Sequence, residues 1–177
     1  MLVRPAGGSL PVTEGIEVRE ATADDAAAYE RDIGSDPAPA FRLRLSRPGS
    51  TCWLALMDTM IVHASWVETE AAWMGEVARY FVVPPGDAYI YESFTRPEVR
   101  GRGLYPTVLR TIAAALGSRG TRRLWIAAEE TNRPSLRAIE KAGFAPAFGI
   151  TMSRRWGRTR VAVSGEAEPR LELTRPR

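Results

Sequence analysis

Apolar positions recur along this chain in two periods, and the switches between them predict most of its elements. Residues 16–20 alternate apolar and charged, as a short half-buried strand does. Thr22 then offers an N-cap, with Asp24 and Asp25 in the first turn, where carboxylates suit the helix dipole. The helix they open is expected to reach Ile33 and stop at Gly34. Residues 51–57 and 60–68 are apolar, strand-like runs joined by Asp58-Thr59, which predicts a hairpin. The turn Pro84-Pro85-Gly86-Asp87 leads into residues 89–95, aromatic and β-branched without Gly or Pro, hence a strand. Leu104, Val108, Leu109, Ile112 and Leu116 form a helical stripe that ends before Gly120. Residues 123–128 read as a buried strand. Asn132 then caps a short helix with Leu136, Ile139 and Ala142 inward and Gly143 as its stop. Residues 144–155 are strand-like, with a partner expected within 161–173.

Two segments resist the pattern. Residues 35–49 fit either a short helix or a loop, and residues 73–83 either a strand or an insertion. The order of the rest implies an α/β (α+β mixed) fold. Its centre is a mixed, mostly antiparallel twisted sheet with helices on both faces. The strands at 89–95 and 123–128, joined through a helix, should be parallel neighbours. Residues 1–14, with two prolines and two glycines, read as a flexible N-terminal arm, 15–164 as a single domain, and 165–177 as a polar tail or edge strand.

Composition narrows the class. A chain of 177 residues, 45% hydrophobic and 25% charged, can bury a core without staples. It has no apolar run long enough to span a membrane and no apolar segment of signal-peptide type near Met1. Cys52 is the only cysteine, which excludes an internal disulfide and fits a cytoplasmic setting. No His, Cys or carboxylate cluster has metal-ligand spacing. The net charge is +3, and Lys141 is the only lysine, so the positive charge is almost all arginine. Arginine suits phosphate and carboxylate, though a compositional bias explains the excess equally well. Arg154, Arg155, Arg158 and Arg160 crowd the end of the chain, but nucleic acid is not an expected partner, nor is a membrane.

The chemistry points to one loop. Arg100-Gly101-Arg102-Gly103-Leu104-Tyr105 joins a strand to a helix. Glycines let a ligand approach the backbone, and the first amides of the helix lack internal partners and lie at the positive end of its dipole. A phosphate is the ligand such a site accepts most readily.

This loop, together with Asn132-Arg133-Pro134-Ser135-Leu136-Arg137-Ala138-Ile139-Glu140-Lys141-Ala142-Gly143-Phe144, resembles the GCN5-related N-acetyltransferase superfamily over residues 16–156. The family's acetyl-CoA loop reads Arg/Gln-x-x-Gly-x-Gly/Ala, and its later short helix begins at Asn and ends in Tyr-Glu-Lys-x-Gly-Phe. Two positions depart. Tyr105 stands where the last small residue is expected, so its side chain must turn away from the pyrophosphate or the loop must shift. Ile139 stands where many members carry the tyrosine proposed to protonate the departing thiolate, so another acid, water or none is used.

The resemblance implies an acyl-CoA-dependent N-acyltransferase. Its co-substrate would be acetyl-CoA or another acyl-CoA, and its acceptor most simply a primary amine of a small molecule, attacked directly in a ternary complex. A protein or peptide amine is the alternative acceptor, a non-catalytic acyl-CoA-binding module the alternative class, and a homodimer remains open. By resemblance, Phe94 and Thr95 would pair through their main chain with the pantetheine arm. Arg100, Gly101, Arg102, Gly103, Leu104 and Tyr105 would hold the pyrophosphate. Asn132 would contact the pantetheine or simply cap its helix, and Ser135 would bond the cofactor or pack as a small residue.

An attacking alkylamine, with a pKa near ~10.4, must lose a proton at neutral pH, which asks for a base. Glu92 is the candidate. Strict alternation puts Ile90, Glu92 and Phe94 on one strand face and Tyr89, Tyr91 and Ser93 on the other. A carboxylate in so apolar a strand is expected to hold its proton more tightly than usual. Its alternatives are docking the substrate ammonium or a salt bridge to an arginine. His63, the only histidine, shares a face with Ser65 and is a lesser candidate for substrate contact. Cys52 reads as a small core hydrophobe. Trp53, Trp66 and Trp73 fit an acceptor pocket or the core.

Overall fold

The computed structural model describes residues 1–9, 15–155, 158–165 and 173–174. The strands are β1 (Leu2–Pro5), β2 (Glu17–Glu20), β3 (Ser50–Met57), β4 (Met60–Glu68), β5 (Ala71–Met74), β6 (Arg79–Val82), β7 (Asp87–Thr95), β8 (Arg123–Ile126), β9 (Ala145–Pro146), β10 (Gly149–Arg155), β11 (Arg158–Ser164) and β12 (Leu173–Thr174). The helices are α1 (Ala26–Asp32), α2 (Ala38–Leu45), α3 (Leu104–Ser118) and α4 (Arg133–Lys141). A seven-stranded sheet runs β2-β3-β4-β7-β8-β1-β9, flanked by the β10-β11 hairpin and a small β12-β6-β5 sheet. Within the large sheet only β7 and β8 are parallel, from Asp87↔Arg123 to Ile90↔Ile126; the other pairs are antiparallel. The mixed, mostly antiparallel sheet is therefore as the hydrophobic pattern predicts.

Each face of the sheet buries its own core. Val108, Leu109 and Ile112 of α3 and Ile139 of α4 pack with Val62, Ile90 and Leu124 on one face. Ala26 and Tyr29 of α1 and Phe41 of α2 pack with Cys52, Leu54 and Trp66 on the other. Burial of such side chains contributes roughly 1.5–3 kcal/mol each, enough to outweigh the weak helix signal of residues 35–49. Half of that segment is the helix α2. The 73–83 region is the antiparallel pair β5–β6, joined through a 3₁₀ turn, Gly75–Val77.

The expected flexible arm needs correcting. Residues 2–5 form β1, inserted between β8 and β9 with Leu2 buried. Arg4 fastens it, donating to Ala142 O at 2.5 Å and Gly7 O at 3.0 Å. The chain then crosses α3, where the Gly7 amide donates to Ala113 O at 2.7 Å. A Cβ on Gly117 would lie 2.4 Å from Gly7 N, so the crossing requires glycine there. Proline and glycine thus marked a tight crossing, not looseness. The rest of the arm, residues 10–14, and most of the 165–177 tail lie outside the described residues, apart from β12, which pairs with β6.

Candidate active site

The site begins where the sheet opens. Pairing between β7 and β8 ends at Ile90 and Ile126, yet β7 runs on to Thr95 with β4 as its partner on the other side. Beyond Ile90 the β7 edge that faced β8 has no strand beside it among the described residues. A groove of about 570 Å³ and a cavity of about 880 Å³ both border this part of β7.

The groove lies between β7, the loop before α3 and the start of α4, lined by Phe94, Thr95, Gly101, Gly103, Tyr105, Asn132 and Ser135 among others. Thus the loop and the Asn helix, far apart in sequence, meet. Gly101 and Gly103 have φ of 79° and 75°, which only glycine adopts cheaply, and a Cβ on either would meet nothing within 4 Å. Both glycines line the groove at the N-terminus of a 15-residue helix with no acidic residue in its first turn. Arg137 and Lys141 also line the groove, and among its described residues there is no carboxylate. These features fit a pyrophosphate and its attached phosphates.

Individual residues are used differently from one another. Arg100 turns back, its Nε donating to Thr95 O at 2.9 Å, so it braces the strand end. Arg102 stays exposed on the loop, and Leu104 packs into the core. The Asn132 side chain accepts from the Ser135 amide at 3.2 Å, a helix N-cap whose residue also lines the groove. Tyr105 turns inward from the glycine loop and packs against the core. Its ring lies 5.3 Å from that of His63, and the Ser93 and Ser135 hydroxyls are near enough to its own to lower its pKa against the effect of burial.

The expected faces of β7 are corrected by a bulge. The register with β4 shifts between Ala64 and Trp66, and Glu92 takes φ of 46°. One extra residue inverts the parity of everything after it. Ile90 belongs to the α3-side core, and on that side the next β7 residues are Ser93 and Thr95, not Glu92 and Phe94. Tyr91 and Glu92 instead both reach Arg44 of α2.

Glu92 is accordingly not in apolar surroundings. Its side chain is 57% exposed, borders the larger cavity and pairs with Arg44 at 2.6 Å. Arg44 also bonds Asp36 at 3.1 Å, and its guanidinium stacks 4.0 Å from the Trp66 ring and 4.9 Å from that of Tyr91. Burial works against the Arg44 charge, but hydrogen bonds to Glu92 and Tyr91 more than offset it and raise its pKa. The larger cavity is bounded by β5, the 75–77 turn, α4 and β10, with Trp73, Tyr89, Tyr91 and Phe148 among its walls. Glu76, Glu92, Glu129, Glu130 and Glu140 line it, and no arginine or lysine does among the described residues. Trp53 and Trp66 are core residues, so only Trp73 of the three tryptophans lines this cavity.

His63 is fully buried, and that burial pushes its pKa down to about 3, so it is neutral. Its Nδ1 lies 2.6 Å from Thr95 Oγ1 and its Nε2 2.8 Å from Ser65 Oγ, which is 2.8 Å from Ser93 Oγ. Cys52 is buried, which pushes its thiol pKa up and makes it a core residue. Among the described residues no cluster of His, Cys, Asp and Glu is placed to hold a metal ion. No described helix is long and apolar enough to cross a membrane.

Sequence reasoning missed Arg44, the Ser65–Ser93 link, and Glu76, Glu129, Glu130 and Glu140. None has a spacing signal, because their common site is assembled from separate elements.

Comparison with known proteins agrees with this fold. The model of the acetyltransferase (GNAT) family matches residues 18–144. No curated protein matches the chain. Among solved structures, a putative acetyltransferase from Agrobacterium tumefaciens str. C58 is 22% identical, over 78% of this chain and 99% of that one, with a TM-score of 0.57. A ribosomal-protein-alanine N-acetyltransferase from Brucella melitensis biovar Abortus 2308 is 11% identical, over 80% and 100%, with a TM-score of 0.61. The aminoglycoside N-acetyltransferase AAC(6')-Iy, solved in complex with CoA, is 12% identical, over 78% and 98%, with a TM-score of 0.61.

Proposed function

The chain belongs to the acetyltransferase (GNAT) family, and from that premise we propose that it transfers acetyl from acetyl-CoA to a primary amine of a small cationic molecule. The observation that carries this reading is the pair of concavities along one strand. The groove has cations and the glycine loop, and the cavity has five carboxylates and aromatic walls. An anionic donor suits the first and a cationic acceptor the second, and β7 from Tyr91 to Phe94 borders both. Holding both substrates along one strand segment supplies positioning, which is worth much of the barrier in a direct displacement. A cavity walled by β5, α4 and β10 favours a small acceptor over a protein chain laid in an open trough.

In this scheme the Gly101–Tyr105 amides and the α3 dipole hold the phosphates, with Arg102, Arg137 and Lys141 adding charge. The free β7 edge at Phe94 and Thr95 pairs with the amides of the pantetheine arm, as a further strand would. Bound acetyl-CoA supplies the activated acetyl carbon. Glu92 meets the incoming ammonium at the cavity edge and takes up its proton, directly or through water. Arg44 competes for the same carboxylate, which also suits Glu92 to docking the ammonium.

The test is calorimetric titration with CoA, followed by CoA release across a panel of mono-, di- and polyamines. Expected are CoA binding and turnover that favours multiply charged amines. Absence of acetyl-CoA binding by the intact protein overturns the reading, and tight binding with no turnover on any amine selects a non-catalytic CoA-binding module.

A further inference from the structure

Acetyl transfer leaves a thiolate, and the groove must supply a proton or tolerate the charge. Tyr105 is the groove-lining hydroxyl able to serve as an acid, since serine and threonine hydroxyls are far weaker. Its position is built by the fold. The ring stands on the first turn of α3, leans against His63 at 5.3 Å, and sets its hydroxyl between Ser93 of β7 and Ser135 of α4. That is the gap through which the sheet opens. Burial pushes its pKa up, with the Ser93 and Ser135 hydroxyls acting the other way, so Tyr105 carries its proton at neutral pH.

Behind Tyr105 runs an unbroken chain of neutral groups: Ser93, Ser65, His63 and Thr95, with contacts of 2.8, 2.8 and 2.6 Å. A neutral imidazole has one donor and one acceptor nitrogen, so His63 gives the chain a single direction at any moment. With Thr95 O–H donating to His63 Nδ1, Nε2–H donates to Ser65 and Ser65 to Ser93, which leaves the Ser93 proton for the neighbouring Tyr105 hydroxyl. The Tyr105 proton is then free to point into the groove. Thr95, at the other end, is only half-buried and lines the same groove.

We propose that Tyr105 is the general acid of the reaction, giving its phenolic proton to the departing sulfur, and that the Thr95–His63–Ser65–Ser93 chain replaces that proton from solvent. The proposal rests on the acetyl-transfer reading above. As the C–S bond breaks, its electron pair goes to sulfur, and sulfur takes the Tyr105 proton. Ser93 passes its proton to Tyr105, Ser65 to Ser93, and His63 Nε2 to Ser65, while Nδ1 takes the Thr95 proton and Thr95 takes one from water. His63 changes tautomer without ever becoming a cation, as its burial requires. Ser135 stabilises the transient negative charge on Tyr105 Oη.

The test compares wild type, Tyr105→Phe and Ser93→Ala on the intact chain. Tyr105→Phe should lower kcat about a hundredfold, in the range for general acids, while the Kd for desulfo-CoA, which lacks the sulfur, stays within about twofold. A second readout needs no turnover. A hydroxyl donating to sulfur favours bound thiolate, so at pH 9 wild type should prefer CoA over desulfo-CoA about tenfold more than Tyr105→Phe does. Ser93→Ala keeps the acid but cuts its supply, and should lower kcat about tenfold with a reduced solvent isotope effect on kcat. Wild-type turnover with Tyr105→Phe within threefold and an unchanged CoA preference overturns the acid role, leaving acetyl transfer standing. Unaltered kcat in Ser93→Ala overturns the relay, and decides the matter if Tyr105→Phe does not fold. A wild type that neither binds CoA nor turns over overturns both readings together.

Discussion

The groove and the cavity are bordered by the same stretch of β7, yet they handle charge in opposite ways. On the groove side cations meet solvent, but the polar groups behind them are neutral, with His63 and Ser65 buried and Ser93 and Tyr105 half-buried. On the cavity side carboxylates predominate, and Arg44, which pairs with Glu92, sits on two aromatic rings. The difference follows from desolvation. A buried site keeps polar groups only as hydrogen-bonded neutrals, whereas a half-exposed one can keep ions. It also divides the chemistry: the dry side can move a proton along neutral links, and the wet side can attract and deprotonate an ammonium.

The largest expected effect that would break this contrast is the hundredfold loss in Tyr105→Phe described above. Next is acid stability. The His63 pKa is pushed to about 3 when folded, against an unfolded value of 6.5. Below pH 6.5 the unfolded chain binds a proton that the folded chain refuses, so stability falls as pH drops. The slope is about 1.4 kcal/mol per pH unit down towards pH 3. Urea unfolding between pH 7 and pH 5 should therefore show a loss of about 2 kcal/mol in wild type beyond that in His63→Gln. Parallel curves would mean that His63 is not held neutral.

Smaller effects should separate the two sides. Glu92→Gln should lower kcat/KM for the amine about tenfold, most strongly at low pH where the amine is most protonated, with CoA affinity nearly intact. Rates unchanged across pH would remove Glu92 from the base role. Arg137→Glu should raise the CoA Kd about fivefold at low salt and leave the amine KM alone, while Glu130→Gln should do the reverse by about threefold. Titration calorimetry and steady-state kinetics check both. Equal effects of either variant on both substrates would show that the concavities do not sort charge.

Where the sequence reading succeeded, the information was local. A glycine pair at positive φ before an amphipathic helix, and an asparagine three residues before a serine amide, are set by neighbours within one turn. The lining of the groove was legible in large part because its loop and its capped helix are each such local motifs. The strands at 50–57, 60–68 and 87–95 were legible for the same reason, since burial on both faces leaves continuous apolar runs. Residues 2–5 misled because a strand fixed by a distant partner needs no pattern of its own; Ala142 accepts from Arg4 at 138 positions' separation, and Gly117 lets Gly7 pass at 110.

The sequence by itself determined most of the element order, the mixed sheet and the glycine loop before α3, because each rests on residue periodicity or on backbone freedom. Only the tertiary structure decided which way β7 faces. A single bulge at Glu92 puts Ser93 and Thr95 where alternation had put Glu92 and Phe94. That inversion hands Glu92 to Arg44 and the cavity, and hands Ser93 to Tyr105. A residue at the wrong place in the family pattern thus comes to stand at the opening of the sheet. The physical reason is that side-chain parity depends on pairing with a second strand, and pairing is not written in either strand alone.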